Sequence, residues 1–121
     1  MKKGDKVTMI KSWDERGTVA YYQAEVLSWG KIRATLIQES NTARRFCTPK
    51  VATNNEQGIY PRMTDEAAEA MCLIVGRNVA AERKAQWEKD IEQNSHNAFY
   101  VAAIQKQINE LHEPKAIKKI F

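Results

Sequence analysis

The stretch from Thr18 to Gln38 constrains the fold most, because its apolar residues recur with a period of two. The apolar phase continues on both sides of a turn and consists of Ala20, Tyr22, Ala24, Val26, Ile32, Ala34 and Leu36. The alternate phase is polar and consists of Gln23, Glu25, Lys31, Arg33 and Thr35. This alternation predicts two strands with one buried and one solvated face. The turn is predicted at Trp29-Gly30, since Gly allows the positive φ that hairpin turns often need.

Shorter strands are predicted on either side of this hairpin. Val7–Lys11 reads as a first strand with Val7 and Met9 on one side, and Ala43–Cys47 as a fourth strand. The connector from Pro49 to Met63 is long for a compact domain, and such loops often bind a partner or contain a short strand. Whether it contributes a fifth strand stays open at this point.

Helical periodicity replaces the strand pattern after Thr64, which is a good N-cap residue. The first predicted helix runs to about Gln93, with Trp87 expected in the core. A second helix follows a four-residue break and ends before Pro114, so the two should form an antiparallel hairpin. The basic tail that follows, residues 115–121, either docks on the body or extends from it.

The predicted fold class is therefore α+β. An N-terminal antiparallel sheet, ending near residue 60, precedes a C-terminal helical hairpin, and the period of the apolar residues changes near Thr64. The two parts, residues 1–63 and residues 64–121, are expected to pack as one compact unit.

The opening Lys3-Gly4-Asp5-Lys6-Val7, followed by a loop, two longer strands and a short one, resembles the small SH3-like barrels of the KOW and Tudor type. The resemblance covers residues 2–50 and implies an SH3-like, five-stranded sheet or barrel. The chain departs from the KOW pattern because it has no second glycine where that motif carries one. A Tudor-like aromatic cage would have to be built from Trp13, Tyr21, Tyr22 and Trp29. The resemblance implies a fold and no particular function.

Composition and motifs exclude several classes of protein. No apolar run approaches the roughly 20 residues that cross a bilayer, and no secretory signal follows the N-terminus, so cytoplasmic residence without a membrane partner is expected. Cys47 and Cys72 are expected to be reduced and mostly buried. His96 and His112 lack the close spacing of zinc ligands, so neither a metal nor any other cofactor is expected.

No catalytic pattern is present either. The sequence lacks a glycine-rich phosphate loop, a nucleophile elbow and an HExxH motif. The adjacent carboxylates Asp14 and Glu15 lie in a predicted loop, where they should point in different directions. The expectation is a non-enzymatic protein without a small-molecule substrate.

Charge is unevenly distributed along the chain. Residues 1–63 contain 11 Lys and Arg against 6 Asp and Glu, whereas residues 64–121 contain 8 against 9. Basic groups on the solvated strand phase, with aromatic rings beside them, are typical of nucleic-acid surfaces. The predicted nucleic-acid- or partner-binding residues are Lys31, Arg33, Arg44, Arg45, Tyr21 and Trp29. In the simpler alternative, the arginines form a solvated face paired with helix carboxylates.

The rival functional class is a protein-binding inhibitor or adaptor. Small accessory proteins of phages and plasmids share this size and split charge, and some act on a host nucleic-acid-processing or defence complex. The carboxylates that could imitate DNA in such a role are Asp65, Glu66, Glu69, Glu82, Glu88, Asp90 and Glu92. A host protein complex is then the partner in place of nucleic acid.

Overall fold

A computed structural model describes residues 1–14 and 16–119, and six strands and two helices lie within these ranges. The strands are β1 (Lys6–Ser12), β2 (Thr18–Trp29), β3 (Arg33–Gln38), β4 (Ala43–Cys47), β5 (Gly58–Pro61) and β6 (Lys115–Lys118). The helices are α1 (Asp65–Gln93) and α2 (Ala98–Asn109). Glu15 of the first loop, and Ile120 and Phe121 of the tail, lie outside the described residues.

The strands form one sheet in the order β4-β3-β2-β1-β5, with antiparallel neighbours throughout. The connector left open by the sequence does contain a fifth strand, β5, which pairs with β1. The tail adds β6, which runs parallel to residues 18–21 of β2, while residues 24–29 of the same strand pair with β3. The predicted α+β class, an antiparallel sheet followed by two helices, is confirmed.

The face of the sheet predicted to be apolar is buried. Its inner core consists of Val7, Met9, Tyr22, Ala24, Val26, Leu36 and Ile59. The prediction was wrong at the turn. Ile32 is 71% exposed because β3 begins only at Arg33, which leaves Ile32 within a turn over residues 30–32. Gly30 does not use a positive φ there, although its N–H does bond the Arg33 carbonyl (2.8 Å).

The opposite face of β2 is not solvated as predicted, because α1 lies across it. Tyr21 and Gln23 are both buried, and Tyr21 joins an outer core with Ala68, Cys72 and Val75 of the helix. The buried Gln23 amide is satisfied locally. Its Nε2 donates to the carbonyl of Met63 (3.0 Å) and to Oδ1 of Asp65 (3.2 Å), and the Thr8 hydroxyl donates to its Oε1. This network holds the start of α1 on the sheet.

Only the first half of α1 lies on the sheet. Thr64 caps the helix as predicted, accepting from the N–H of Ala67 (3.2 Å). Gly76 is the last buried residue of α1. A Cβ built there would lie 3.1 Å from the carbonyl oxygen of Gly17 and 3.1 Å from Cβ of Pro114, so the helix touches backbone at this point.

Beyond this contact, Val79 still packs against the outer core, but no later residue of α1 is buried. The second helix, α2, packs against α1. The chain returns along α1, since Pro114, just after α2, reaches back to Gly76. Trp87 was predicted in the core but is only half-buried, with the guanidinium carbon of Arg83 5.8 Å from its ring centroid. It lies beyond the part of α1 that the sheet covers.

Both cysteines are free thiols, but they differ in environment. Cys72 is fully buried, and this burial raises the pKa of its thiol to about 12. Cys47 was expected to be mostly buried and is instead exposed, because it follows the half-buried Phe46 and lies with Arg45 on the outer side of β4. The Cys72 thiol therefore stays protonated and unreactive at neutral pH.

Candidate nucleic-acid interface

The four basic residues predicted to form one surface do not share a face. Arg33 and Arg45 are exposed on the outer side of the β3–β4 pair, since Arg45 faces Thr35, two positions from Arg33. Arg44 faces Leu36, whose side chain is in the inner core, and so it lies on the other side of the sheet. Lys31 lies in the exposed turn before β3. The expected continuous patch is therefore divided between two sides.

The two predicted stacking residues do not offer open rings. Tyr21 is 1% exposed, and its ring is covered by α1. Its hydroxyl donates to Oε1 of Glu69 (3.5 Å). Trp29 is half-buried because its ring packs against the inner core. Neither residue presents the free aromatic face that a nucleobase needs for stacking.

A different group of basic and aromatic side chains converges on one cleft with a volume of about 400 Å³. We call it the basic cleft. Its lining residues are Lys11, Ser12, Trp13, Ala20, Tyr22, Arg44, Phe46 and Lys119. Of the six predicted site residues, only Arg44 belongs to it.

Strand alternation explains how five of these side chains meet. On β1 the buried Val7 and Met9 are followed, two positions on, by Lys11, which therefore points to the same side of the sheet. Lys11 faces Ala20 on β2, next to the Met9–Tyr22 pair. From β4, the alternate residues Arg44 and Phe46 face Leu36 and Ala34 of β3, which are both buried. The cleft is thus the open margin of the inner core.

The remaining wall comes from the first loop and the tail. Trp13 is 53% exposed, and its backbone N–H donates to the Thr18 carbonyl (2.9 Å). Lys119 follows β6, and its N–H donates to the Tyr21 carbonyl (2.8 Å). Its Nζ lies 3.6 Å from the centroid of the Trp13 ring, which is a cation–π contact. The cleft therefore joins the first loop to the tail.

The Asp14 carboxylate fixes the conformation of this loop. Its Oδ1 accepts from the N–H groups of Arg16 (2.8 Å) and Thr18 (3.1 Å). Although burial opposes the effect, these backbone hydrogen bonds hold the pKa of Asp14 below its usual value. The carboxylate is thus ionised at neutral pH, and its hydrogen bonds tie Asp14, next to Trp13, to the first residue of β2.

The described residues that line the basic cleft carry charge of one sign only. Lys11, Arg44 and Lys119 contribute three positive charges, and none of the described lining residues carries a carboxylate. Burial raises the pKa of Tyr22 to about 12 despite the opposing influence of Arg44, so the phenol stays neutral. A cationic ligand, of the kind that an aromatic cage binds, would meet three like charges here. The arrangement suits an anion that also carries a flat apolar group.

Two other features were not found in residues 1–14 and 16–119. No group of three or more His, Cys, Asp or Glu side chains there is placed to hold a metal ion. Neither helix in the same ranges is long and apolar enough to span a membrane. In comparisons with protein-family models, curated proteins and solved structures, nothing matched this chain.

The sequence contains signals that could have placed Lys11 and Arg44 in the cleft, but none that could have placed Lys119 there. Lys11 continues the phase of Val7 and Met9, and Arg44 alternates with Arg45, so the period-two rule separates the adjacent arginines. Lys119 is different, because its position depends on a tail strand that pairs with β2 across most of the chain.

Proposed function

We propose that the protein is a non-enzymatic nucleic-acid-binding protein that contacts its ligand through the basic cleft. The observation that carries this proposal is the convergence of three cations and three aromatic rings, without a carboxylate among the described lining residues. Lys and Arg neutralise phosphates, while aromatic side chains contact bases. The strand order β4-β3-β2-β1-β5 is compatible with an SH3-like small barrel, which is the class we favour for the sheet.

The excess positive charge of the β part supports the same proposal at longer range. Residues 1–63 carry a net charge of +5, and the exposed Arg33, Arg45 and Lys31 lie outside the cleft. Charges of this kind attract a polyanion before specific contact is made. We therefore assign Arg33, Arg45 and Lys31 to general attraction, and the cleft to contact.

Fluorescence anisotropy with labelled single-stranded and duplex oligonucleotides tests the proposal. If Lys11, Arg44 and Lys119 each neutralise one phosphate, the slope of log K against log salt should be about −2 for a single strand. Raising the salt from about 50 to 200 mM should then weaken binding roughly 15-fold. The double variant Lys11→Ala/Arg44→Ala should weaken binding at least about tenfold and bring the slope close to −0.7.

The matched control removes the same amount of charge from the outer side of the sheet. Arg33→Ala/Arg45→Ala should weaken binding only about two- to threefold, because these groups act at a distance. Circular dichroism of both variants checks that the fold is retained. Equal losses in the two variants would show that only net charge matters and that the cleft is not the contact site.

A second candidate, a protein-binding inhibitor or adaptor, is favoured by the exposed Phe99 on α2, which is 91% exposed. Some of the carboxylates proposed to imitate DNA already have partners within the chain. Asp65 pairs with Lys118 (3.2 Å) and accepts from Gln23, and Oδ1 of Asp90 accepts from Nε2 of Gln86 (3.0 Å). The carboxylates considered for this role are then Glu66, Glu82, Glu88 and Glu92. A pull-down with and without nuclease separates the candidates. A stoichiometric protein that survives nuclease, with no oligonucleotide binding at about 50 mM salt, would replace nucleic acid as the proposed ligand.

A further inference from the structure

The basic cleft has the dimensions of a pocket for one small planar group. Its volume of about 400 Å³ lies within the range of small-molecule sites, roughly 300–1,000 Å³. A duplex presents phosphates at its surface, but its bases are stacked and paired, so their faces are covered. An unpaired base has two open faces and can enter a pocket of this size.

Trp13 offers the ring on which such a base would stack. The side chain is 53% exposed, whereas Tyr22 at the bottom of the cleft is 6% exposed and Phe46 is half-buried against the inner core. One face of the Trp13 ring is occupied by a charge, because Nζ of Lys119 lies 3.6 Å from the ring centroid. A cation–π contact at an exposed site is weaker than the stacking of a base on an aromatic side chain.

Lys119 is anchored by its backbone and not by this ring contact. Its N–H bonds the Tyr21 carbonyl (2.8 Å), directly after the parallel pairing of β6 with β2. A base that replaced the ammonium on Trp13 would leave the Lys119 side chain beside Lys11 and Arg44. Three cations would then surround a base whose own phosphates are close by.

We propose that the basic cleft receives one unpaired nucleobase, which stacks on Trp13 in place of the Lys119 ammonium while Lys11, Arg44 and Lys119 bind the flanking phosphates. The ligand class is therefore single-stranded nucleic acid. This inference rests on the proposed function and deepens it, because charge alone would accept duplex and single strand alike.

The test compares three labelled polyanions of the same length, on the order of ten nucleotides: a single strand, its duplex and an abasic strand. The abasic strand keeps the phosphates and lacks the bases. We expect the single strand to bind about tenfold more tightly than either of the others at equal salt. Trp13→Ala should remove this advantage and leave abasic binding unchanged, and Trp13→Phe should retain most of it.

The chain provides a matched control in its second tryptophan with a cation nearby. Arg83 lies 5.8 Å from the ring of Trp87, far along α1, so Trp87→Ala should change none of the three affinities. Lys119→Ala should make the slope of log K against log salt less negative by about 0.7. The variant should still bind the single strand more tightly than the abasic strand. In NMR spectra, the ε-methylene protons of Lys119 should lose the upfield ring-current shift caused by Trp13 when the single strand is added.

Two results would overturn the inference, and they differ from each other. If all three polyanions bind equally and Lys119 keeps its ring-current shift, the protein binds nucleic acid by charge, and no base enters the cleft. If none of them binds at about 50 mM salt, the proposed function fails, and the base pocket fails with it.

Discussion

The two halves of α1 are similar in length and lie in opposite environments. Residues 65–79, the docked segment, cover the sheet and supply Ala68, Cys72, Val75 and Gly76 to buried positions. Residues 80–93 of α1, together with the connection and α2, form what we call the arm, residues 80–109. None of the arm residues is buried. One continuous helix is therefore anchored at its first half and only half-covered along its second.

The residue types along the helix account for this difference. Ala68, Cys72 and Gly76 recur every four residues, so a row of small side chains lets the helix backbone approach the sheet closely. In the arm, the half-buried row contains the larger Arg83, Trp87 and Ile91, which suit a second helix and not a close approach to a sheet. The fully buried part of this row ends at Gly76, since Ala80, the next residue of the row, is only half-buried.

Burial also predicts different local stabilities. Side chains of the docked segment belong to the outer core with Ile10, Val19 and Tyr21, so this segment should open only when the whole domain unfolds. The arm has only partly buried contacts between two helices, and such elements open at lower free energy. The docked segment is thus expected to unfold together with the sheet, whereas the arm can open by itself.

The largest effect is expected from a matched pair of tyrosines. Tyr21 is 1% exposed under the docked segment, and Tyr100, on α2, is 40% exposed. Tyr21→Ala should lower the free energy of unfolding by about 3–5 kcal/mol because it leaves a cavity in the outer core. Tyr100→Ala should lower it by less than about 0.5 kcal/mol. Urea denaturation followed by circular dichroism measures both, and similar losses would show that the arm is part of the same cooperative core.

A smaller effect is expected where α1 leaves the sheet. Gly76→Leu places a side chain against Gly17, Pro114 and Val19, the last with Cγ2 3.4 Å from the built Cβ. The helix must then lift from the sheet, at a cost of about 1–3 kcal/mol. Ala85→Leu makes the matching change on the exposed side of the arm and should stay within about 0.5 kcal/mol of the parent. Thermal unfolding of the two variants measures this difference. An unchanged unfolding midpoint for Gly76→Leu would contradict the close contact of Gly76 with Gly17 and Pro114.

Local patterns predicted much of this architecture. The period of two placed β2 and β3, and Thr64 marked the start of α1, because both signals depend only on neighbouring residues. They could not show that the second face of β2 is covered. Tyr21 and Gln23 look like the solvated phase of a strand until a helix from the other half of the chain lies across them.

The candidate site was predicted less well, for a related reason. The prediction treated Arg44 and Arg45 as one patch, although neighbouring residues on a strand point to opposite sides. Trp13 was considered only as part of an aromatic cage, because its basic neighbour Lys119 is brought there by the pairing of β6 with β2. Contacts between residues that far apart leave no periodic signal in a single sequence.

The smallest effect should come from the helix caps, which provide a matched comparison between the two parts. The Thr64 hydroxyl accepts from the N–H of Ala67 (3.2 Å) at the start of the docked segment. In the arm, Oδ1 of Asn97 accepts from the N–H of Tyr100 (3.1 Å) at the start of α2. Replacing such a cap by alanine typically costs about 1 kcal/mol of helix stability. The two caps differ in whether the rest of the domain depends on the helix that they begin.

Thr64→Ala should therefore lower the global free energy of unfolding by about 1 kcal/mol, because the docked segment unfolds with the sheet. Asn97→Ala should keep the global free energy of unfolding within about 0.3 kcal/mol of the parent protein. It should instead lower the hydrogen-exchange protection of the α2 amides by about fivefold. Urea unfolding together with native-state exchange by NMR separates the two responses. Thr64→Ser and Asn97→Asp, which keep a capping oxygen, serve as controls. If Asn97→Ala lowers global stability as much as Thr64→Ala does, the arm unfolds together with the body and the two halves of α1 form one cooperative unit.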